Sequence, residues 1–406
     1  REFVKTPFYR VIGSFDVPDH ETAVIEAEWR AVEGSRYFGT PALYKENGFK
    51  EHRTAEELIR FLSADPMEGT LIALDKKKET KNPPLLYNLA EIQNDCSKMF
   101  KISPDETLKI IQELYEKKLV TYPRTDARVL STAVAKEIYR NIGGLRNFGP
   151  LADFAAKALD SGTWKMIART KYVNDKQITD HYAIIPTGQG FGALRSLNPL
   201  AAKVYELIGR RFLSIFYPPA VYQKVSLVTK MENESFFSSF KVLLSEGYLK
   251  IAANSFAKKS MAEASGKTPE SEGEGEVSCD EALLAALQKL KKGDILNING
   301  LKEGETSPPK RYNSGSMILA MENAGQLIED EDLRSQIKGS GIGTSATRAE
   351  ILKKLFNIRY LSLNKKTQVI TPTLQGEMIY DVVNCSIRQL LNPELTASWE
   401  KGLTYV

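Results

Sequence analysis

Three short stretches of this 406-residue chain carry residue types suited to phosphate chemistry. The first is Thr121-Tyr122-Pro123-Arg124-Thr125-Asp126. A phenol oxygen can attack a phosphodiester, and the tyrosyl ester that results keeps the bond energy for reversal. Arg124 suits the phosphate because a planar guanidinium donates two parallel charge-assisted hydrogen bonds. Phenols ionise near pH about 10, so such a tyrosine needs a cation, a base or a metal close by. The same spelling also fits a hairpin-tip tyrosine packed beside a proline, with no chemistry at all.

The second stretch, Thr179-Asp180-His181-Tyr182-Ala183-Ile184-Ile185-Pro186-Thr187, holds one of only three histidines. His181 can polarise a phosphate or relay a proton, with the neighbouring carboxylate setting its tautomer. A satisfied structural histidine is the competing reading. The third is Gly339-Ser340-Gly341-Ile342-Gly343-Thr344-Ser345-Ala346-Thr347-Arg348. Glycines running into a helix start offer free amides and the positive dipole end to an anion. No Lys-Ser/Thr pair follows them, which excludes a nucleotide-binding P-loop. A DNA backbone phosphate held by Gly341, Gly343, Thr344, Thr347 and Arg348 fits better.

The elements around these stretches follow from patterning. FYRVIGSFDV alternates as a strand. Thr54 and Glu57 have capping-box spacing ahead of a short helix. TLIALD (70–75) reads as a strand and 75–84 as a charged connector. LYNLAEIQNDCSKMF reads as a helix. Ser103, Pro104 and Glu106 open another that ends at Lys117 and Lys118, ahead of the strand-like LVTY. Asn198 and Pro199 cap a long helix whose Val204, Leu207, Ile208, Phe212, Ile215 and Phe216 form a core stripe. Residues 220–251 return to strand alternation. ATRAEILKKLFN then reads as a helix, followed by a hairpin through RYLSL, NKKT and QVITPT. Helix plus hairpin is the layout of a winged-helix module.

Composition bounds the rest. The formal charge is +4, but residues 261–281 hold seven acids against one lysine, so everything outside them carries +10. That basic remainder suits a polyanion. The acidic stretch itself lacks the apolar content to order and is expected to be an exposed loop. No run approaches the ~20 apolar residues of a membrane helix. Three scattered cysteines (Cys96, Cys279, Cys385) argue against a disulfide framework and for a reduced, cytoplasmic protein.

Taken together, LYNLAEIQ, LVTYPRTDARVLS, ITDHYAIIPT, EGETSPPKRYNSGSMILAMENAG, GSGIGTSATRAEIL and LTASWEKGL resemble the type IA DNA topoisomerases. The His-x-Ala-Ile-Ile-Pro-Thr form points to their topoisomerase III branch. The resemblance implies an α+β multi-domain fold, a toroidal gate with a β-rich arch and two winged-helix (CAP-like) domains. Its parts would be residues 1–80 and 195–260 as arch, 81–194 as the tyrosine domain, 261–281 as loop and 282–406 as a C-terminally truncated second winged-helix domain. It further implies that Tyr122 forms a 5′-phosphotyrosine, that Arg124 positions the scissile phosphate and that His181 lies beside the cleavage site. Ala127, Tyr182 and Ser345 depart from the residues common there, namely serine, histidine and proline.

In such enzymes a TOPRIM domain supplies the acids that bind Mg²⁺, and no ATP is used. This chain opens on Arg1 and is expected to start after that domain, which leaves no metal site of its own. The acidic string 329–332 reads as a solvated face. Single-stranded DNA and the TOPRIM domain of the same polypeptide are the expected partners of a monomer lodged in the bacterial nucleoid. The isolated chain would be inactive or weakly active. Rival readings are a non-enzymatic winged-helix DNA-binding protein and one half of a reverse gyrase-like fusion.

Overall fold

Strand alternation builds the first part of the computed structural model, which describes residues 8–17, 24–64, 67–253, 276–278, 285–304 apart from 288, 310–324, 341–392, and the isolated positions 395, 398 and 399. Strand β1 (Arg10–Asp16) turns Val11 and Phe15 into a core, and β2 (Val24–Arg30) adds Ile25, Ala27 and Trp29. A small hairpin, β3 (Leu43–Lys45) and β4 (Gly48–Phe49), follows. Helix α1 (His52–Leu62) then lays Ala55, Leu58 and Leu62 on the same core. Its cap differs from the Thr54–Glu57 expectation. The helix starts three residues earlier, Glu51 occupies the cap with no side-chain bond, and Glu57 instead takes Arg53 Nε at 3.1 Å.

Long strands complete the sheet: β5 (Glu68–Lys81), β6 (Ala220–Met231), β7 (Glu234–Ser245), β8 (Glu276–Ser278) and β9 (Ile295–Gly304). Their order is β2-β1-β9-β5-β6-β7-β8, and β2 also pairs with β7, so the sheet closes on itself with β8 outside. Trp29 stacks on Phe49 at 4.7 Å, and its indole donates to Glu234 Oε2 at 2.6 Å, so this buried carboxylate is satisfied.

Two expectations change here. Residues 75–81 are no loose connector but continue β5, paired with β6 as far as Lys81 against Ala220. Mostly exposed side chains hide this from pattern reading, because a ladder held by main-chain bonds needs no apolar alternation. Of the acidic stretch, 276–278 are described and pair in parallel with β7, while its remaining residues and 329–332 lie outside the described ones. The sheet also takes in β9, which follows the acidic stretch and falls within the residues read as the second winged-helix domain.

The β5–β6 ribbon leads into a helical body inserted between its strands. Helices α2 (Leu89–Phe100), α3 (Pro104–Glu116), α4 (Thr132–Gly144), α5 (Gly149–Asp160) and α6 (Pro199–Ser214) share one apolar core, closed below by the short α7 (Leu249–Ala252). Asn88, Ser103, Ser131 and Asn198 each accept a backbone N–H at a helix start. The stripe expected on α6 is buried throughout.

A third group follows: α8 (Ser314–Glu322), α9 (Arg348–Asn357), the antiparallel hairpin of β10 (Leu361–Leu363) and β11 (Ile370–Pro372), and α10 (Leu374–Ser386). Here the helix and two-stranded hairpin expected from sequence are both present. α8 packs on α2, where Gly315 lies so near Asn94 that a Cβ would stand 2.6 Å from its Cα. Among the described residues no helix is long and apolar enough to cross a membrane.

Candidate active site

The chain leaves α3 at Lys117 and turns through Lys118 into residues 119–122. LVTY forms no ladder strand. It runs beside 183–187, bridged at Val120 and Pro186. Thr121 N–H donates to the Ile185 carbonyl at 3.0 Å, and Thr187 N–H to that of Leu119 at 3.0 Å. The Thr121 hydroxyl donates to the Ala183 carbonyl at 3.0 Å and accepts from Ile185 N–H at 2.9 Å. These bonds zip the tyrosine stretch to the histidine stretch.

Tyr122 and His181 consequently face each other, with ring centroids 4.3 Å apart and planes tilted by 39°. Tyr115 meets Tyr122 edge-on at 5.5 Å. Buried Thr125 holds the pair from behind, its hydroxyl donating to the His181 carbonyl at 2.8 Å and accepting from Ala127 N–H at 3.0 Å. Thr125 was not singled out from sequence, although a Thr-Asp turn is the signal that could have found it. Asp180 makes no hydrogen bond to His181, so the tautomer is not set by that carboxylate. Tyr182 lines the same site, and burial raises its phenol above the usual range.

Tyr122 opens onto a cleft of about 590 Å³ that it shares with Tyr115, Lys118, His181 and Gln189. Glu116 borders this cleft and a second one of about 290 Å³, where Arg124 lies opposite Ala346 and Glu350. Arg124 is exposed, and among the described residues no acceptor engages it. The two clefts adjoin at Glu116, the second reaching Ala346 and Glu350 at the start of α9.

The glycine stretch reaches the second cleft through Ala346. Gly341 and Gly343 are left-handed at φ 61° and 68°, which glycine tolerates without strain. Thr344 and Thr347 are exposed and bonded to each other, Thr344 N–H donating to Thr347 Oγ1 at 2.9 Å. Arg348 departs from its expected place, being 1% exposed. Its Nη1 donates to Asp126 Oδ1 at 2.8 Å and lies 3.9 Å from Glu322 Oε1. Arg348 thus turns inward and, in this conformation, presents no face to a phosphate.

Gly341 also allows close approach, since a Cβ there would fall 2.4 Å from the carbonyl oxygens of Met321 and Glu322. Gly341→Ala is expected to lower stability by about 2–4 kcal/mol, combining left-handed strain with overpacking. Urea denaturation followed by circular dichroism measures it, and an unchanged midpoint would refute the close packing.

A DNA topoisomerase family profile matches residues 1–406, the entire chain. The chain belongs to the DNA topoisomerase family. It is 34% identical over 375 residues to DNA topoisomerase 3 of Bacillus licheniformis, covering 90% of this chain and 48% of that protein. With DNA topoisomerase 3 of Bacillus subtilis it shares 32% over 397 residues, 94% of this chain and 51% of the relative. Full-length topoisomerase I from Thermotoga maritima superposes with a TM-score of 0.61 at 20% identity, over 99% of this chain and 55% of that one. The α+β fold is therefore similar to that of a type IA topoisomerase. The chain spans about half the length of the curated relatives it matches.

Magnesium is the metal this family resemblance implies. Among the described residues no group of three or more His, Cys, Asp or Glu side chains is placed to hold an ion. The described residues offer no donor set for the metal, and no step below runs through it.

Proposed function

We propose that this chain carries the nucleophile side of a type IA topoisomerase reaction on single-stranded DNA. Tyr122 Oη attacks a backbone phosphorus, the P–O3′ bond breaks, and a 5′-phosphotyrosine and a free 3′-hydroxyl result. The phenol proton leaves and the departing 3′ oxygen gains one, so the step balances and reverses without ATP. A second strand passes through the break before resealing. The acids that bind Mg²⁺ would come from a TOPRIM domain of the same polypeptide.

The observation that carries this reading is the pair of adjoining clefts. Tyr122 and His181 stand ring to ring on one, and the unpaired Arg124, two residues on in sequence, lines the other with Ala346 and Glu350. A free guanidinium beside a tyrosine gives a phosphate two donors at the atom under attack. Tyr115, Tyr122 and Tyr182 offer flat faces for unpaired bases. In this reading the β5–β6 ribbon is the hinge and the closed sheet the arch.

Arg124→Ala is expected to weaken binding of a single-stranded oligonucleotide by about 1.5–3 kcal/mol, the worth of a charged hydrogen bond. Titration by fluorescence anisotropy measures it. Equal affinities would remove Arg124 from the site. The chain alone is further expected to leave supercoiled plasmid unrelaxed in Mg²⁺, with relaxation restored by added TOPRIM domain. Robust relaxation by the chain alone would overturn that division of the active site.

A further inference from the structure

Lys118 stands where the chain leaves α3, and its backbone is left-handed at φ 61°. Side chains other than glycine's are disfavoured there. Neighbours hold the turn in place. The Thr187 hydroxyl donates to the Lys118 carbonyl at 2.5 Å. Gly190, itself at φ 77°, approaches so closely that a Cβ would stand 3.2 Å from the same oxygen.

A basic residue ending a helix suits the negative dipole end, and Lys101 closes α2 in the same conformation at φ 58°. Location separates the two lysines. Lys118 is exposed and lines the Tyr122 cleft, whereas Lys101 does not. Among the described residues no carboxylate takes the Lys118 ammonium. Glu116, the acid on the same cleft, already accepts from Gln112 Nε2 at 3.1 Å. The adjoining ammonium of Lys117 is held by Glu113 at 3.3 Å, which leaves Lys118 as the free charge of this turn. Unpaired cations therefore flank the nucleophile on both sides in sequence, Lys118 before it and Arg124 after it.

We infer that Lys118 binds a backbone phosphate of the DNA strand lying in the Tyr122 cleft, a phosphate other than the one attacked. The inference rests on the reading of that cleft as a DNA site. The turn is held by two neighbouring segments, and Lys118, exposed and unpaired, lines the cleft beside Tyr122.

The test is a salt titration of the full chain against a single-stranded oligonucleotide without duplex content. Losing one phosphate contact flattens the slope of log K against log salt by about 0.7 and weakens binding about fivefold at 0.1 M salt. Lys118→Gly is expected to do both without lowering the melting temperature, because glycine relieves the turn. Lys118→Arg is expected to restore the slope, and Lys101→Gly, which removes the same charge and the same strain away from the cleft, to leave it unchanged. Matching slopes for Lys118→Gly and Lys101→Gly would overturn the inference while the cleft reading stands. A wild-type chain with no salt-dependent binding would sink both.

Discussion

Tyr122→Phe is expected to abolish the covalent protein–DNA adduct while single-strand affinity stays nearly unchanged. Phenylalanine keeps the ring that meets His181 at 4.3 Å and Tyr115 at 5.5 Å, so the packing of the site survives. Only Oη goes, the atom that would bond to phosphorus. Neither hydrogen bonds from Thr121 to Ala183 nor those from Thr125 to His181 involve it. Removing a covalent nucleophile costs roughly 10⁴-fold or more in rate, since the remaining groups can bind but have no atom to transfer to. The measurement is denaturant trapping on an end-labelled oligonucleotide, with the TOPRIM domain and Mg²⁺ supplied. Adduct persisting in the Phe variant places the nucleophile elsewhere. A wild-type protein that binds DNA yet never yields adduct favours the non-enzymatic DNA-binding reading.

Much of this site could be read from the chain because its residues cluster in short strings. Tyr122 and Arg124 are two residues apart, and His181 stands in a stretch of unusual spelling. What could not be read is how the strings meet. The contact of Tyr122 with His181 depends on Thr121 and Thr187 bonding across a gap of more than sixty residues, and backbone pairing leaves no mark on composition. Helix starts were read correctly at Ser103 and Asn198, where a polar side chain caps them, and misread at Glu51, where none does. β5 was cut short for a similar reason, since residues 75–81 expose most of their side chains. Arg348 was the clearest misplacement. An arginine after a glycine loop has the spelling of a phosphate ligand, and only its own burial and its bond to Asp126 reveal that it faces inward.

Arg348→Met is accordingly expected to destabilise the fold by about 1–3 kcal/mol, the range for leaving a buried polar group without its partner. The arginine joins two groups far apart in sequence. Asp126 belongs to the tyrosine stretch, and Glu322 ends α8. Asn88 completes the cluster, its Nδ2 donating to Glu322 Oε1 at 2.6 Å and to the Asp126 carbonyl at 3.1 Å. Burial raises the Glu322 carboxyl above its usual range, and the Arg348 charge opposes that rise while Asp126 adds to it. Without Arg348 the carboxyl rises further, so the folded variant holds a proton that the unfolded chain releases. A raised folded-state value contributes stability at low pH and loses it as pH climbs. The deficit of Arg348→Met is therefore expected to be largest at neutral pH and to shrink toward the ordinary glutamate range near pH about 4.3. Urea midpoints at several pH values measure this, and a pH-independent deficit would place the cost in packing instead. Asp126→Asn alone is expected to cost less, because the Glu322 carboxylate remains beside the guanidinium. The double variant should cost less than the sum of the two, since the bond between Asp126 and Arg348 is lost only once. In the proposed reaction this cluster carries a further consequence: the tyrosine stretch separates from the glycine stretch only by unpairing Arg348 from Asp126. Weakening it by Asp126→Asn is then expected to ease that separation while leaving Tyr122, Arg124 and His181 in place.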